Sequence, residues 1–347
     1  MTTQARRIFR LSFTPAIALV MAYAIPVSLP FLAPLFAFFL ASMPGSPLTI
    51  KKLLALIILM IMALGIGIVL IPLLLHFQIS ALLMVLIGLY YSAYLSVNLY
   101  KNLPGTFLAM GVTMISAAGT VNDALATMII QALISAIIIA TLCHSIVYLF
   151  FPDDLPMAKT ENDAIEEQSE KSKSTTQSNW IAMRSTLIVF PAYLLLLTNP
   201  TLYMPIIMKA LMLSQQTSSM DTKNAGRELI SSTLLGGVLA ILFWLALGLW
   251  ANLWMFFLWM LLISLFVSSK IYQLIATRLP PSFWLNSIVT MLIMLGPAVE
   301  DSANGKDVYA AFFSRSVLLI FITIYALLAV YLLEYLKSRH RRRINAY

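Results

Sequence analysis

Charge is scarce in this chain. Asp, Glu, Lys and Arg make up only 10% of its 347 residues, against roughly 25% in a soluble domain. Cysteine is nearly absent: Cys143 stands alone, which excludes an intramolecular disulfide and leaves no Cys-based metal site. Lying within an apolar run, it is expected to pack. Of the three histidines, only His144 lies well inside such a run, and no partner base or nucleophile accompanies it. The string GxxxxGK[ST] does not occur, so the chain is not its own ATPase. Asp153 and Asp154 in "FPDDLP" lack the further carboxylates at helical spacing that a metal–diphosphate enzyme needs. A helix end leading into a polar linker accounts for them. The chain is therefore read as no enzyme, with no metal and no cofactor, since a catalytic site needs several convergent groups.

What the chain has is apolar length. Hydrophobic residues make up 61% and the mean hydropathy is +0.90. Twelve apolar segments recur, at about 11–27, 28–43, 53–75, 79–98, 105–119, 124–151, 184–198, 201–215, 228–249, 251–269, 281–297 and 309–336. Many approach the roughly 20 residues that cross a bilayer. The expected fold is an all-α membrane protein of about twelve transmembrane helices. "RRIFR" before a run containing "AYA" imitates a secretory signal. That run has a counterpart in the second half, so it is expected to remain as the first span.

Between segments six and seven, "DDLPMAKTENDAIEEQSEKSKSTTQSN" holds half of the fourteen acidic residues and no aromatic residue. It reads as a solvated linker. Nineteen of the twenty-two lysines and arginines fall on the side of the N-terminus, the linker and the C-terminus. Lys306 falls on the other side, and Lys209 and Arg315 fall within segments. This asymmetry puts both termini and the linker in the cytoplasm, which also removes nucleic acid as the reason for the net charge of +8.

The two halves resemble each other. "FLAMGVTM" (107–114) lies against "WLNSIVTM" (284–291), "VND" (121–123) against "VED" (299–301), and "VYL" recurs at 147–149 and 330–332. Pro30 and Pro34 open segment two as Pro200 and Pro205 open segment eight. Six spans per half make this a parallel repeat: residues 1–151 form the first six-helix repeat, 152–180 the linker, and 181–347 the second repeat with its basic tail. A major facilitator would carry a Gly–Asp–Arg-rich loop between spans two and three, and "MPGSPLTIKK" does not fit that.

Two six-span halves, a short Pro-marked second span in each, and an inner linker resemble the fusaric-acid-resistance, or aromatic acid exporter, family. Within it the chain is most similar to a short bacterial inner-membrane branch of unassigned function. The resemblance covers nearly the whole chain, although larger members carry a sizeable soluble domain where this one has about thirty polar residues. It implies proton-driven export of small, often aromatic, carboxylic acids. It also implies a periplasmic adaptor of the membrane-fusion type and an outer-membrane channel beyond it. The alternative is a non-transporting membrane scaffold or receptor that anchors a periplasmic partner. A transporter needs polar groups at mid-depth and a scaffold does not. The short helices leave lateral surface that a homodimer would cover.

Several residues are candidates for transport. In "TLYMPIIMKALMLS" (201–214) Lys209 is surrounded by apolar residues. It either snorkels to the inner surface or faces a central passage. There it would attract the carboxylate of the exported acid and release its proton as transport turns over. The repeat places Phe38 at the equivalent position. Tyr91, Tyr94 and Asn98 share one helix face, to stack on an aromatic substrate or to sit in an interfacial belt. Thr113, Thr290 and Asn286 line the repeat interface or bond between helices. Asp123, Glu300 and Asp301, at matching outer positions, either pass protons and gate the periplasmic side or cap helices. Arg315, about 9 Å inside the last span, reaches Asp301 or Asp307, snorkels, or faces the cavity. Gly65, Gly67, Gly236 and Gly237 mark close helix approaches.

The topology is testable by cysteine labelling in intact cells. A cysteine at Ser302 should react with an impermeant thiol reagent, and one at Ser174 should not. The opposite pattern inverts the orientation.

Overall fold

A computed structural model describes residues 3–25, 27–43, 47–98, 102–152, 175–216, 222–303, 305 and 307–344. Residues 153–174 of the expected linker, with Asp153 and Asp154, therefore lie outside the described residues, as does Lys306. Every element among the described residues is helical. Among the described residues these are twelve helices: α1 (Thr3–Ala24), α2 (Leu32–Ser42), α3 (Ile50–His76), α4 (Gln78–Asn98), α5, α6 (Asp123–Phe150), α7 (Thr175–Thr198), α8 (Pro200–Gln216), α9 (Thr222–Leu249), α10 (Leu253–Ile271), α11 (Pro281–Ala303) and α12 (Val308–Ile344). Helix α5 is composite: α-helical over Asn102–Met110, π-helical over Gly111–Ile115, and α-helical again over Ser116–Val121. Among the described residues ten stretches are long and apolar enough to cross a membrane, while α2 and α8 are shorter. The chain is thus a multi-pass membrane protein in contact with the lipid bilayer.

The helix starts follow from the sequence. Asn122 Oδ1 accepts from Ala124 N–H at 2.9 Å, and Asn252 Oδ1 from Met255 N–H at 2.7 Å. Asn199 Oδ1 accepts from Leu202 N–H at 3.2 Å and from the Thr201 hydroxyl at 2.9 Å, with Pro200 opening the helix. Asp307 Oδ1 accepts from Tyr309 N–H at 2.9 Å. Each satisfies a donor that the first turn leaves without a helical partner. The second segment, expected over 28–43, shortens to Leu32–Ser42. Pro30 and Leu29, which takes a left-handed φ of 54°, make the turn before it.

The described helices group into two compact units. Unit 1 comprises 1–58, 128–174 and 234–313; unit 2 comprises 59–127, 175–233 and 314–347. In unit 1, α1 packs on α2 and α10, and α11 packs on α10 and α2. In unit 2, α7 packs on α8 and α4, and α5 packs on α4 and α8. The second list is the first with every helix exchanged for the one six places away. Each unit therefore takes its first and second helices from one side of the linker and its fourth and fifth from the other.

Buried short helices sit inside both units. In α2, Leu32 through Phe38, with Leu40 and Ala41, are buried; in α8, Pro205 through Ser214 are buried. At 1.5 Å per residue, α2 is about 17 Å long and α8 about 26 Å, short of the roughly 30 Å hydrocarbon core. Neighbouring helices cover them, so neither has to span lipid by itself. Unit 2 is closed further by Ile188, Leu213, Leu229, Ala326 and Val330. Unit 1 is closed by Tyr23, Phe243 and Phe256, whose ring centroids lie 5.0 and 5.4 Å apart around Phe256.

Backbone-to-backbone contact fixes the third helices. A Cβ on Gly67 would collide with the Gly111 carbonyl, and one on Gly236 would lie 2.6 Å from the Ser287 carbonyl. Gly65 differs from expectation, having no neighbour within 4 Å of where its Cβ would lie. Substituting alanine should therefore separate the two glycines. Gly67→Ala should destabilise the protein by about 1–3 kcal/mol through overpacking. Gly65→Ala should be neutral or stabilising by up to about 1 kcal/mol. Thermal unfolding of the two purified variants checks this.

Candidate functional site

Lys209 lies at the centre of α8 and is 0% exposed. Taking an ammonium out of water costs several kcal/mol unless something compensates, and ionisable groups inside membrane spans mark functional paths by default. A side chain this enclosed does not sit at a water interface.

Its surroundings in unit 2 can be placed by depth. Tyr193 lies five residues before the end of α7, and Ser116 five residues before the end of α5. Each is therefore about 8 Å in. The Tyr193 hydroxyl and Ser116 Oγ meet at 3.1 Å, so the two helix ends are level. Lys209 lies nine residues into α8, which starts where α7 ends. That puts it about 14 Å deep, level with the π turn at about 9–15 Å, and α8 packs directly on that turn. Lys209, Thr113, Ser116 and Tyr193 are all buried at 0% exposure.

The π turn is irregular backbone in an apolar interior, and its own hydroxyls satisfy it. Thr113 Oγ1 donates to the Ala109 carbonyl at 2.7 Å. Ser116 Oγ donates to the Val112 carbonyl. Because Ser116 spends its one proton there, Tyr193 is the donor in the bond between α7 and α5. Behind the turn, Gly67 of α3 presses against Gly111. A π turn of this kind is rare and is often found where a helix serves a function.

The other expected residues divide between the units. Asn286 and Thr290 are fully buried, but on α11 in unit 1. Thr290 Oγ1 donates to the Asn286 carbonyl at 2.7 Å, repeating the bond that Thr113 makes in unit 2. Tyr91 is 54% exposed, and Tyr94 is half-buried. The side chain of Asn98 lies outside the described residues. Asp123 is exposed in the first turn of α6, while the capping bond there belongs to Asn122. Glu300 and Asp301 fall in the last turn of α11, where a carboxylate opposes the helix dipole. They are therefore not caps, and Asp307 caps the helix that follows. Asp301 is buried, Glu300 half-buried, and Arg315 half-buried on α12 in unit 2.

Two arginines of the basic inner side are buried among the helices. Arg184 of α7 is buried and donates to Glu334 of α12 at 2.8 Å. Arg10 of α1 is buried with its guanidinium 5.3 Å from the centre of the Tyr148 ring on α6. In each unit a first-helix arginine is thus tied to a sixth helix, by an ion pair in one and a cation–π contact in the other. Tyr193 and Ser116 were not singled out by sequence. The available signal was a tyrosine well inside an apolar run, away from the interfacial belt that tyrosines favour.

Residues 7–147, from α1 nearly to the end of α6, match the model of a family described as a protein of unknown function (DUF2955). No curated protein and no solved structure matches the chain.

The Tyr193–Ser116 bond should be measurable by a double-mutant cycle of Tyr193→Phe and Ser116→Ala. The expected coupling is about 0.5–1.5 kcal/mol, as for hydrogen bonds between membrane helices. Additive losses in unfolding experiments would show the bond to be energetically silent.

Proposed function

We propose that this chain is the inner-membrane subunit of an efflux system for small, anionic, aromatic compounds, and that Lys209 binds the anionic group. The observation carrying this reading is a fully buried lysine on a short helix that protein surrounds. It lies at about half the roughly 30 Å depth of the hydrocarbon core, level with a π turn lined by hydroxyls. Transporters commonly place substrate near the midplane, on interrupted helices at a repeat interface. The matching neighbour lists of the two units support a parallel six-helix repeat. The resemblance to the aromatic acid exporters supplies the substrate class, the proton coupling and the periplasmic membrane-fusion adaptor. In this reading Glu300 and Asp301, which sit at the unfavourable end of a helix dipole, are the proton-accepting groups on the periplasmic side. The bacterial inner membrane, with both termini cytoplasmic, follows from the distribution of basic residues.

The deciding experiment compares Lys209→Met with Lys209→Arg in cells loaded with a candidate aromatic acid. Met should abolish export without lowering the amount of protein in the membrane. Arg should retain some binding but slow turnover. Normal export by Lys209→Met would remove the lysine from the transport path.

A further inference from the structure

In unit 1 an exposed strip of α10 ends in a charge. Leu258, Leu262 and Phe266 are all exposed and stand four residues apart, so they share one side of the helix. Lys270, in the last turn, is the next member of that series. Its Nζ lies 5.9 Å from the centres of both the Phe266 and the Trp284 rings. Those rings meet edge to face at 5.8 Å, with Trp284 buried in the first turn of α11. The connection over 272–280 continues the pattern. Gln273 takes a left-handed φ of 56°, and Leu274 N–H donates to the Ser269 carbonyl at 2.9 Å, which ends α10 in a fixed turn. Lys270 Nζ donates to the Ala276 carbonyl at 3.3 Å. A loop held in this way still leaves Leu274, Ile275 and Leu279 exposed, with Arg278 exposed among them.

We infer that this end of unit 1 binds an anionic phospholipid. Lys270 and Arg278 hold its phosphate, and an acyl chain lies along Phe266, Leu262 and Leu258. The inference is independent of the reading of Lys209. Charge is the first argument. No aspartate or glutamate occurs between Glu228 and Glu300, and among the described residues neither Lys270 nor Arg278 forms an ion pair. The Lys270 ammonium has three donors and spends one on Ala276. A zwitterionic lipid would bring a positive group for which these residues offer no carboxylate, so the site selects net negative charge. Length is the second argument. From Leu258 to Lys270 the helix rises about 18 Å, close to the roughly 15 Å of hydrocarbon in one leaflet. The strip therefore suits one chain beneath one headgroup. The third argument is the loop. Aliphatic side chains displayed beside cations are the composition that seats a segment at the boundary of headgroups and acyl chains.

The test is titration of the purified full chain in detergent with dioleoyl phosphatidylglycerol or dioleoyl phosphatidylcholine, with bound lipid counted by native mass spectrometry. The first phosphatidylglycerol should bind about 25-fold more tightly than phosphatidylcholine, at about fivefold for each cation. Lys270→Ala combined with Arg278→Ala should bring it down to the phosphatidylcholine level. Arg278→Ala alone, at an exposed loop position, should lose about fivefold, and Lys270→Arg should keep the preference. Lys51 and Lys52, exposed at the start of α3, control for basic charge in general. Lys51→Ala combined with Lys52→Ala should leave the first binding event unchanged. Equal losses in the two double variants would reduce the effect to general attraction and overturn the inference. So would equal affinity of the wild-type protein for the two lipids. Glycerol phosphate, the headgroup chemistry without chains, should not displace phosphatidylglycerol at millimolar concentration. Displacement would make this a site for a free phosphate and not for a lipid.

Discussion

Enclosure of the short helix α8 by α5 and α7 is the contact on which the rest of unit 2 depends. A helix of about 26 Å cannot cross roughly 30 Å of hydrocarbon unaided, and backbone ends left in lipid would cost several kcal/mol each. The surrounding helices remove that difficulty. They also create a region that neither lipid nor bulk water reaches. Only in such a region does one ammonium group, a π turn and a pair of hydroxyls become a place with its own chemistry. The Gly67–Gly111 contact brings the turn close enough for this, and the Tyr193–Ser116 bond fixes the depth of α7 against α5.

Unit 1 is built around α2 in the same way, but is finished in hydrocarbon side chains. Phe38 of α2 is fully buried there, and α11 runs without interruption. The two units thus share a frame and differ in filling. A buried side chain can be exchanged for another of similar bulk more easily than a helix can be moved. Divergence within a common frame therefore falls on single interior positions such as these.

Much of the frame was legible in the sequence, because each feature has a local cause. Apolar runs marked the spans, Pro200 marked the start of α8, and paired glycines and threonines marked contacts on the third and fifth helices. The partnerships were not legible. Tyr193 and Ser116 are 77 positions apart, and nothing local to either names the other. The exchange of helices across the linker was hidden for a different reason. When two halves carry the same pattern of spans, a first helix fits either copy of a fourth helix, and the pattern alone does not choose. The burial of Arg10 and Arg184 was not legible either, because a composition rule counts charges near span ends by side and not by packing. Burial against Tyr148 and Glu334 is decided by packing.

The exchange also sets an order of events during synthesis. Helices α3, α4 and α5 leave the ribosome before α7 and α8, the helices that complete their core. Until then α4 lacks the α7 face it packs on, and α5 keeps its π turn with only part of its final surroundings, in a membrane that offers no water to replace the rest. The first half of the chain must therefore be held, by lipid or by the insertion machinery, as an unfinished surface. A nascent chain arrested at the linker would contain six helices and neither unit's complete core.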